Sequence, residues 1–181
     1  MITRPVRIFT IGHSDRSIEG LMELLEESSV KMVVDVRSNP ASGRFPHFER
    51  AQLASSLDAY GIAYRWFRSL GGRRNGAPED AMHTALTADM AAYATYMNTA
   101  LFQEAVSELI GVGASTVTAI LCAEKDPRRC HRNFLADKLH TMGVRVVHIL
   151  DAATAHPHEL HPDLAVEENR LIYRSKQLQL L

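Results

Sequence analysis

The sequence predicts an α/β protein of the Rossmann-like type, a three-layer sandwich with a mostly parallel sheet of about five strands. Short runs rich in Val and Ile are bounded by Gly, Pro or polar residues, and segments of helical periodicity lie between them. Such alternation implies a largely parallel sheet that helices cover on both faces. The 181 residues, 46% apolar and 23% charged, are expected to form a single domain over 1–181.

Each element has its own local signal. The five predicted strands are Val6–Ile11, Met32–Val36, Ile62–Phe67, Val117–Leu121 and Val144–Leu150. Apolar stripes at helical spacing lie at 18–25 after the capping residue Ser17, at 53–60 before Gly61, at 101–110 before Gly111 and at 134–142 before Gly143. Met90, Tyr93 and Met97 share a further helix face, which core packing explains without a cofactor.

Two connections are longer than packing requires, Ser38–Phe48 and Arg68 to about Thr87, and long loops of this kind often carry function. The tail from Asp151 looks irregular up to a weak segment at Glu167–Tyr173. Its histidine-rich stretch, 156–161, is interpreted as an incidental loop because two prolines oppose a helix there.

Charge and hydropathy narrow the classes of function. A net charge of -1 argues against a general nucleic-acid binder, but seven arginines and only two acids lie between Arg37 and Arg74. That stretch suits an anionic ligand, including a phosphate or a nucleic-acid backbone, although each arginine alone is explained as solvated loop charge. No run of about 20 apolar residues and no signal segment is present, so a cytoplasmic location without a membrane partner is expected.

The most informative segment runs from Cys122 to Arg132, directly after a predicted strand. It brings two thiols, two carboxylates, an imidazole and three guanidiniums into one strand-to-helix connection, where ligands bind in open α/β sheets. If Asp126 caps the next helix with Pro127 at its first position, Cys130 and His131 lie one turn inside it. If the helix begins later, they lie at its end.

Polar residues also follow the other strands. In a parallel sheet the strand ends share one edge, so the sequence predicts that one rim gathers His13, Asp35, Arg37, Cys122 and Glu124. Structural roles are the alternatives: a carbonyl partner for the histidine, an Asp–Arg ion pair, and a core cysteine. A buried Glu124 carboxylate would need Arg132 or Arg128 as its partner.

Four chemistries fit this connection. Either cysteine can serve as a thiolate nucleophile beside a cationic neighbour, and the two cysteines with His131 and His13 can bind a metal. The seven-residue gap lacks the short spacing of zinc modules. A phosphatase-type loop from Cys122 to Arg128 is disfavoured, because Glu124 and Asp126 would repel phosphate. Asp35 and Glu124 can also form an acid/base pair.

An ordered set of motifs resembles the domain-of-unknown-function 488 family of small, mostly prokaryotic proteins. The resemblance covers about residues 7–150 and implies an α/β fold whose rim residues belong together, but no activity or cofactor. The motifs that carry it include Ile11-Gly12-His13-Ser14, Asp35-Val36-Arg37-Ser38, Leu70-Gly71-Gly72-Arg73, Cys122-Ala123-Glu124 and Cys130-His131-Arg132.

The leading hypothesis is an enzyme that acts on an anionic, phosphate-bearing ligand such as a nucleotide or nucleic acid. Its expected catalytic residues are Cys122, Glu124, Cys130, His131, Asp35 and His13, and its expected ligand-binding residues are Ser14, Arg37, Gly72, Arg73 and Arg132. The first alternative is a non-catalytic nucleotide, nucleic-acid or protein binding module with structural cysteines. The second is a Cys/His metalloprotein. The sequence does not identify a cofactor.

Overall fold

The structure is a computed structural model that describes residues 5–74, 81–152 and 154–175. It confirms the α/β fold with a mostly parallel sheet. The strands of this sheet are β1 (Arg7–Gly12), β2 (Met32–Asp35), β3 (Ala63–Trp66), β4 (Thr118–Cys122), β5 (Arg145–Asp151) and β6 (Thr154–Pro157). The helices are α1 (Ile18–Glu27), α2 (Arg50–Ala59), α3 (Ala88–Tyr96), α4 (Ala100–Ser115) and α5 (Arg132–Thr141).

The strand order β3-β2-β4-β1-β5-β6 creates a crevice at the centre of the sheet. The first five of these strands are parallel, and β6 pairs antiparallel with β5. Helix α1, which follows β1, packs on one face, whereas α5, which follows β4, packs on the other. Because the chain leaves two adjacent strands toward opposite faces, the space beyond their carboxyl ends is the expected ligand crevice of such a sheet.

Two apolar cores fix the three layers. One lies between the sheet and helices α1 and α2, and includes Leu21, Leu25, Leu53 and Leu57. The other lies between the sheet and helices α3, α4 and α5. The alternation of side chains along each strand divides the apolar residues between these two cores, so every central strand is buried on both faces.

The predicted helix limits are mostly confirmed. The Ser17 hydroxyl accepts a hydrogen bond from the Gly20 amide at 3.0 Å, as expected of a capping residue. Gly61 and Gly143 follow α2 and α5 with positive φ angles of 66° and 82°. The predicted end at Gly111 is wrong, because α4 continues to Ser115. Gly111 therefore lies inside α4 and does not end it.

The tail departs from its predicted irregularity. Strand β6 extends the main sheet, and β7 (Leu164–Glu167) pairs with β8 (Arg170–Tyr173) as an antiparallel hairpin. These strands are four residues each, too short for a clear periodic signal. Over the described part of the chain, no helix is both long and apolar enough to cross a membrane.

A buried hydrogen-bonded chain ties the tail to the core. The Asp137 carboxylate accepts hydrogen bonds from His158 Nε2 and from the Tyr173 hydroxyl, both at 2.9 Å. His158 Nδ1 lies 2.9 Å from His148 Nε2, and His148 Nδ1 lies 2.7 Å from the Thr10 hydroxyl. Burial lowers the pKa of His148 to about 3, so this ring is neutral near neutral pH. The interpretation of this histidine segment as an incidental loop is therefore wrong for His158.

Replacing Asp137 with asparagine should lower the free energy of unfolding by about 1.5–3 kcal/mol, because a charged acceptor of buried hydrogen bonds is lost. Urea denaturation measures the change. His156→Ala is the matched control from the same tail segment, because that side chain is exposed and should change stability by at most about 0.5 kcal/mol. Equal effects from the two substitutions would show that the chain does not stabilise the fold.

Candidate functional site

A cavity of about 770 Å³ lies beyond the carboxyl ends of β1, β2 and β4. Most of the residues that the sequence assigned to a site contribute to its wall. Those residues are His13, Ser14, Arg37, Gly72, Arg73, Cys122, Glu124, Cys130 and His131. The two exceptions, Asp35 and Arg132, are not among the lining residues.

Two thiols and one imidazole converge on this wall. His131 Nδ1 lies 3.8 Å from Cys122 Sγ and 3.6 Å from Cys130 Sγ. The other ring nitrogen, Nε2, donates to the Val36 carbonyl at 3.1 Å. In a neutral imidazole this places the Nδ1 lone pair toward both sulfur atoms. The three residues form the thiol–imidazole cluster.

The start of α5 decides where this cluster lies. Asp126 accepts from the Arg128 amide at 3.0 Å, but it caps a 3-10 turn at Pro127–Arg129 and not α5 itself. The backbone is then extended at Cys130, and α5 begins at Arg132. Of the two placements that the sequence allows, the structure shows the later helix start. Cys130 therefore lies at the amino end of a helix, a position that favours a thiolate.

The two thiols differ in acidity. The pKa of Cys130 is well below that of an ordinary thiol, because Cys122 donates a hydrogen bond to it and because the nearby Arg132 charge stabilises the thiolate. The pKa of Cys122 is well above the ordinary value, because its proton is held by Cys130 and because it is buried. Of the two thiols, Cys130 is therefore the more acidic, and Cys122 is its hydrogen-bond donor.

Arg132 is buried and binds backbone carbonyls, so it does not hold a ligand in the cavity. Only 1% of its surface is exposed. Its guanidinium donates to the carbonyls of Ile11, Glu124 and Lys125 at 2.9, 3.0 and 3.2 Å. No carboxylate pairs with it among the described residues, and its backbone N–H donates to Cys130 Sγ at 3.5 Å. Its unneutralised charge therefore favours the Cys130 thiolate.

Glu124 does not make the predicted ion pair. Arg132 bonds to its backbone carbonyl, and Arg128 pairs with Asp126. The Glu124 side chain is exposed on the cavity wall, so solvation replaces the partner that a buried carboxylate would need.

Asp35 and Arg37 form the structural ion pair that was one of the two predicted roles. The Asp35 carboxylate is completely buried and accepts from Arg37 Nε at 2.9 Å, from Arg37 Nη2 at 2.6 Å and from the Tyr64 hydroxyl at 2.7 Å. Arg37 Nη1 donates to the Phe48 carbonyl at 2.8 Å. Because Asp35 is behind the wall, the predicted acid/base pair with Glu124 does not form across the cavity.

His13 lines the cavity as a neutral ring. Its Nδ1 donates to the Ser14 carbonyl at 3.0 Å, and its Nε2 lies 3.4 Å from Arg37 Nη1. Burial lowers the pKa of His13 to about 4. The preceding residue has to be glycine, because a Cβ atom at Gly12 would lie 1.8 Å from the Glu124 carbonyl oxygen.

Gly72 packs directly on the cluster. A Cβ atom there would lie 2.3 Å from the His131 ring, so only glycine allows this contact. A Cβ atom at the neighbouring Gly71 would similarly lie 2.7 Å from Ser38. The Arg73 amide donates to Ser38 Oγ at 2.7 Å, which joins the two long loops at the cavity.

Sequence reasoning missed several cavity residues. They are Asp15, Ser38, Asn39, Ala41, Ser42, Arg44, Phe45, Asp89, Met90, Ala123 and Arg129. Six of them, those between 38 and 45, belong to the long loop whose length marked it as functional, although length could not single out residues. Asp89 lies on α3 and had no local signal. Arg44, Arg73 and Arg129 are exposed guanidiniums available at this cavity.

The cluster also has the donor set of a metal site. The three ligand atoms lie within 4.8 Å of one another. The two sulfur-to-nitrogen distances, 3.8 and 3.6 Å, are close to the separation of roughly 3.6 Å implied by tetrahedral zinc–sulfur and zinc–nitrogen bonds. The hydrogen bond from His131 to Val36 is the kind of outer contact that orients a histidine ligand.

The fold and the site together define a Rossmann-like α/β protein with a thiol–imidazole cluster at the carboxyl edge of its sheet. The chain belongs to the family described as domain of unknown function DUF488, whose model matches residues 17–139. That match contains the whole cluster, whereas His13 and Ser14 precede it. No curated protein and no solved structure gives a match.

Proposed function

We propose that this protein is an enzyme that acts on an anionic, phosphate-bearing ligand, such as a nucleotide or a nucleic acid, through the Cys130 thiolate. The observation that carries the proposal is the convergence of two thiols and the His131 imidazole on the wall of a ligand-sized cavity. The buried charge of Arg132 supports it, because a nucleophilic cysteine needs a cationic neighbour that stabilises its thiolate.

The cavity wall supplies the remaining roles. Arg44, Arg73 and Arg129 are exposed and would hold the anionic groups of the ligand. Glu124, also exposed on the wall, would exchange a proton with the leaving group. Arg37 takes no direct part, because its guanidinium is committed to Asp35 and Phe48.

The nucleophile is assigned to Cys130 and not to Cys122. Cys130 accepts hydrogen bonds and lies next to the Arg132 backbone, whereas Cys122 supplies the shared proton. The His131 Nδ1 lone pair can take that proton, since its other nitrogen stays bonded to Val36. Cys122 and His131 are therefore positioning groups for the charge on Cys130.

Alkylation by iodoacetamide at a series of pH values tests the assignment, with mass spectrometry resolving the two cysteines. Cys130 should react at pH values well below the ordinary thiol pKa of about 8.5, because its own pKa is lowered. Cys122 should stay protonated and slow over the same range, because its pKa is raised. The Cys122→Ser variant keeps a donor beside Cys130 and is the matched control.

A chelator separates this proposal from a metal centre. If Cys130 reacts equally fast with and without chelator, a free thiolate is supported. If both cysteines react only after chelation, the cluster binds a metal and the proposed thiolate chemistry is wrong. If neither cysteine is alkylated until the protein unfolds, the proposal is also contradicted, and a binding module with structural cysteines is favoured.

A further inference from the structure

We propose that Cys122 and Cys130 are also a reversible redox pair, which hydrogen peroxide converts into a disulfide that removes the thiolate from the cavity. This inference rests on the proposed function, because it describes how the same site would be switched off. Both cysteines are free, and their sulfur atoms lie within 4.8 Å of each other. A disulfide requires about 2.05 Å, so the bond forms through a local shift of the connecting loop.

The loop between the two cysteines is placed to allow that shift. Cys122 is the last residue of β4 and is held by the sheet, whereas Cys130 follows a 3-10 turn. Five of the seven intervening residues, 123–125 and 128–129, are exposed. A shift of this turn toward the strand end therefore moves mainly exposed side chains, together with Cys130, which is itself buried in the core.

The two thiols have unequal roles. Cys130 accepts hydrogen bonds and lies beside the Arg132 charge, so it is the sulfur that reacts first. The Cys122 sulfur lies within 4.8 Å, which is the arrangement of a resolving cysteine next to an oxidised one. His131 Nδ1 faces both sulfur atoms and can accept the Cys122 proton in the second step.

The chemistry proceeds in two balanced steps. The Cys130 thiolate attacks one peroxide oxygen, the O–O bond breaks, and the departing hydroxide takes up a proton from the solvent and leaves as water. Cys130 is then a sulfenic acid. The Cys122 sulfur attacks the sulfenic sulfur, the S–S bond forms, the S–O bond breaks, and the hydroxide leaves as water with the proton that Cys122 gave up. Two electrons pass from the thiols to the peroxide.

The test treats the full-length protein with one equivalent of hydrogen peroxide, followed by quenching with an alkylating agent and mass spectrometry. The expected product is lighter by about 2 Da, contains a Cys122–Cys130 linked peptide, and returns to the starting mass with dithiothreitol. The Cys122→Ser variant should instead gain about 16 Da at Cys130, which dimedone traps as the sulfenic acid. The Cys130→Ser variant should give neither product.

Over-oxidation of wild-type Cys130 to the sulfinic acid without a disulfide would overturn the inference, as would identical products from wild type and Cys122→Ser. If a variant fails to fold, the presence or absence of the Cys122–Cys130 linked peptide in the wild-type protein tests the inference on its own. Alkylation of untreated protein separates the two proposals. Fast Cys130 alkylation without a disulfide contradicts only the redox pair. A disulfide with slow alkylation contradicts only the thiolate proposal.

Discussion

Replacing Asp35 with alanine is expected to lower the free energy of unfolding by about 3–5 kcal/mol, because the substitution leaves the buried Arg37 charge without its partner. Asp35 is completely buried and Arg37 is 5% exposed. Two guanidinium nitrogens of Arg37 and the Tyr64 hydroxyl would each lose their acceptor on the carboxylate. Denaturation in urea measures the change.

The chain contains a matched control for this substitution. Asp126 and Arg128 form an ion pair with the same sequence spacing, but their side chains are 38% and 83% exposed. Arg128→Ala, which removes this pair but leaves the Asp126 cap of the 3-10 turn in place, should therefore cost less than about 1 kcal/mol, because solvent screens a surface pair. If the two alanine variants lost equal stability, burial would not be what makes the Asp35–Arg37 pair important, and its structural role would need another explanation.

Replacing Arg132 with leucine is expected to lower the free energy of unfolding by about 3–4 kcal/mol and to slow alkylation of Cys130 at neutral pH. Stability falls because three carbonyls at the ends of β1 and β4 lose a charged donor, those of Ile11, Glu124 and Lys125. Alkylation slows because the cation that helps to lower the pKa of Cys130 is gone. Urea denaturation and iodoacetamide kinetics report the two effects separately.

Arg128→Leu serves as the control on the same loop. Its guanidinium is exposed and, within the described part of the chain, bonds only to Asp126, so stability should change by about 0.5 kcal/mol or less and Cys130 should react as in wild type. An unchanged Cys130 alkylation rate in folded Arg132→Leu would show that this buried charge does not maintain the thiolate.

The rim of polar residues was predictable because it follows from topology. In a parallel sheet the carboxyl ends of the strands meet at one edge, so the residues after β1, β2 and β4 had to approach each other whatever the strand order. His13, Arg37 and Cys122 do line one cavity. Their individual roles were not predictable, because an aspartate two residues before an arginine gives the same sequence pattern for a ligand site and for a buried ion pair.

Local chemistry alone determined much of the architecture. Apolar periodicity, the capping hydroxyl of Ser17, and the glycines that adopt positive φ at the ends of α2 and α5 are each encoded within a few residues. The five parallel strands of the main sheet follow from such signals. Gly111 shows the limit of this reasoning, because a glycine ends a helix only where the following chain turns away.

Only the tertiary structure decided how distant groups pair. Arg132 donates a hydrogen bond to the backbone carbonyl of Ile11, and Asp137 accepts hydrogen bonds from His158 and Tyr173. Gly72 packs against the His131 ring. These contacts join residues far apart in sequence, and no local pattern distinguishes a buried arginine from an exposed one. The sequence by itself determined the fold class and the edge at which polar groups gather. Long-range burial and hydrogen bonding decided which of those groups face the cavity and which stabilise the wall behind it.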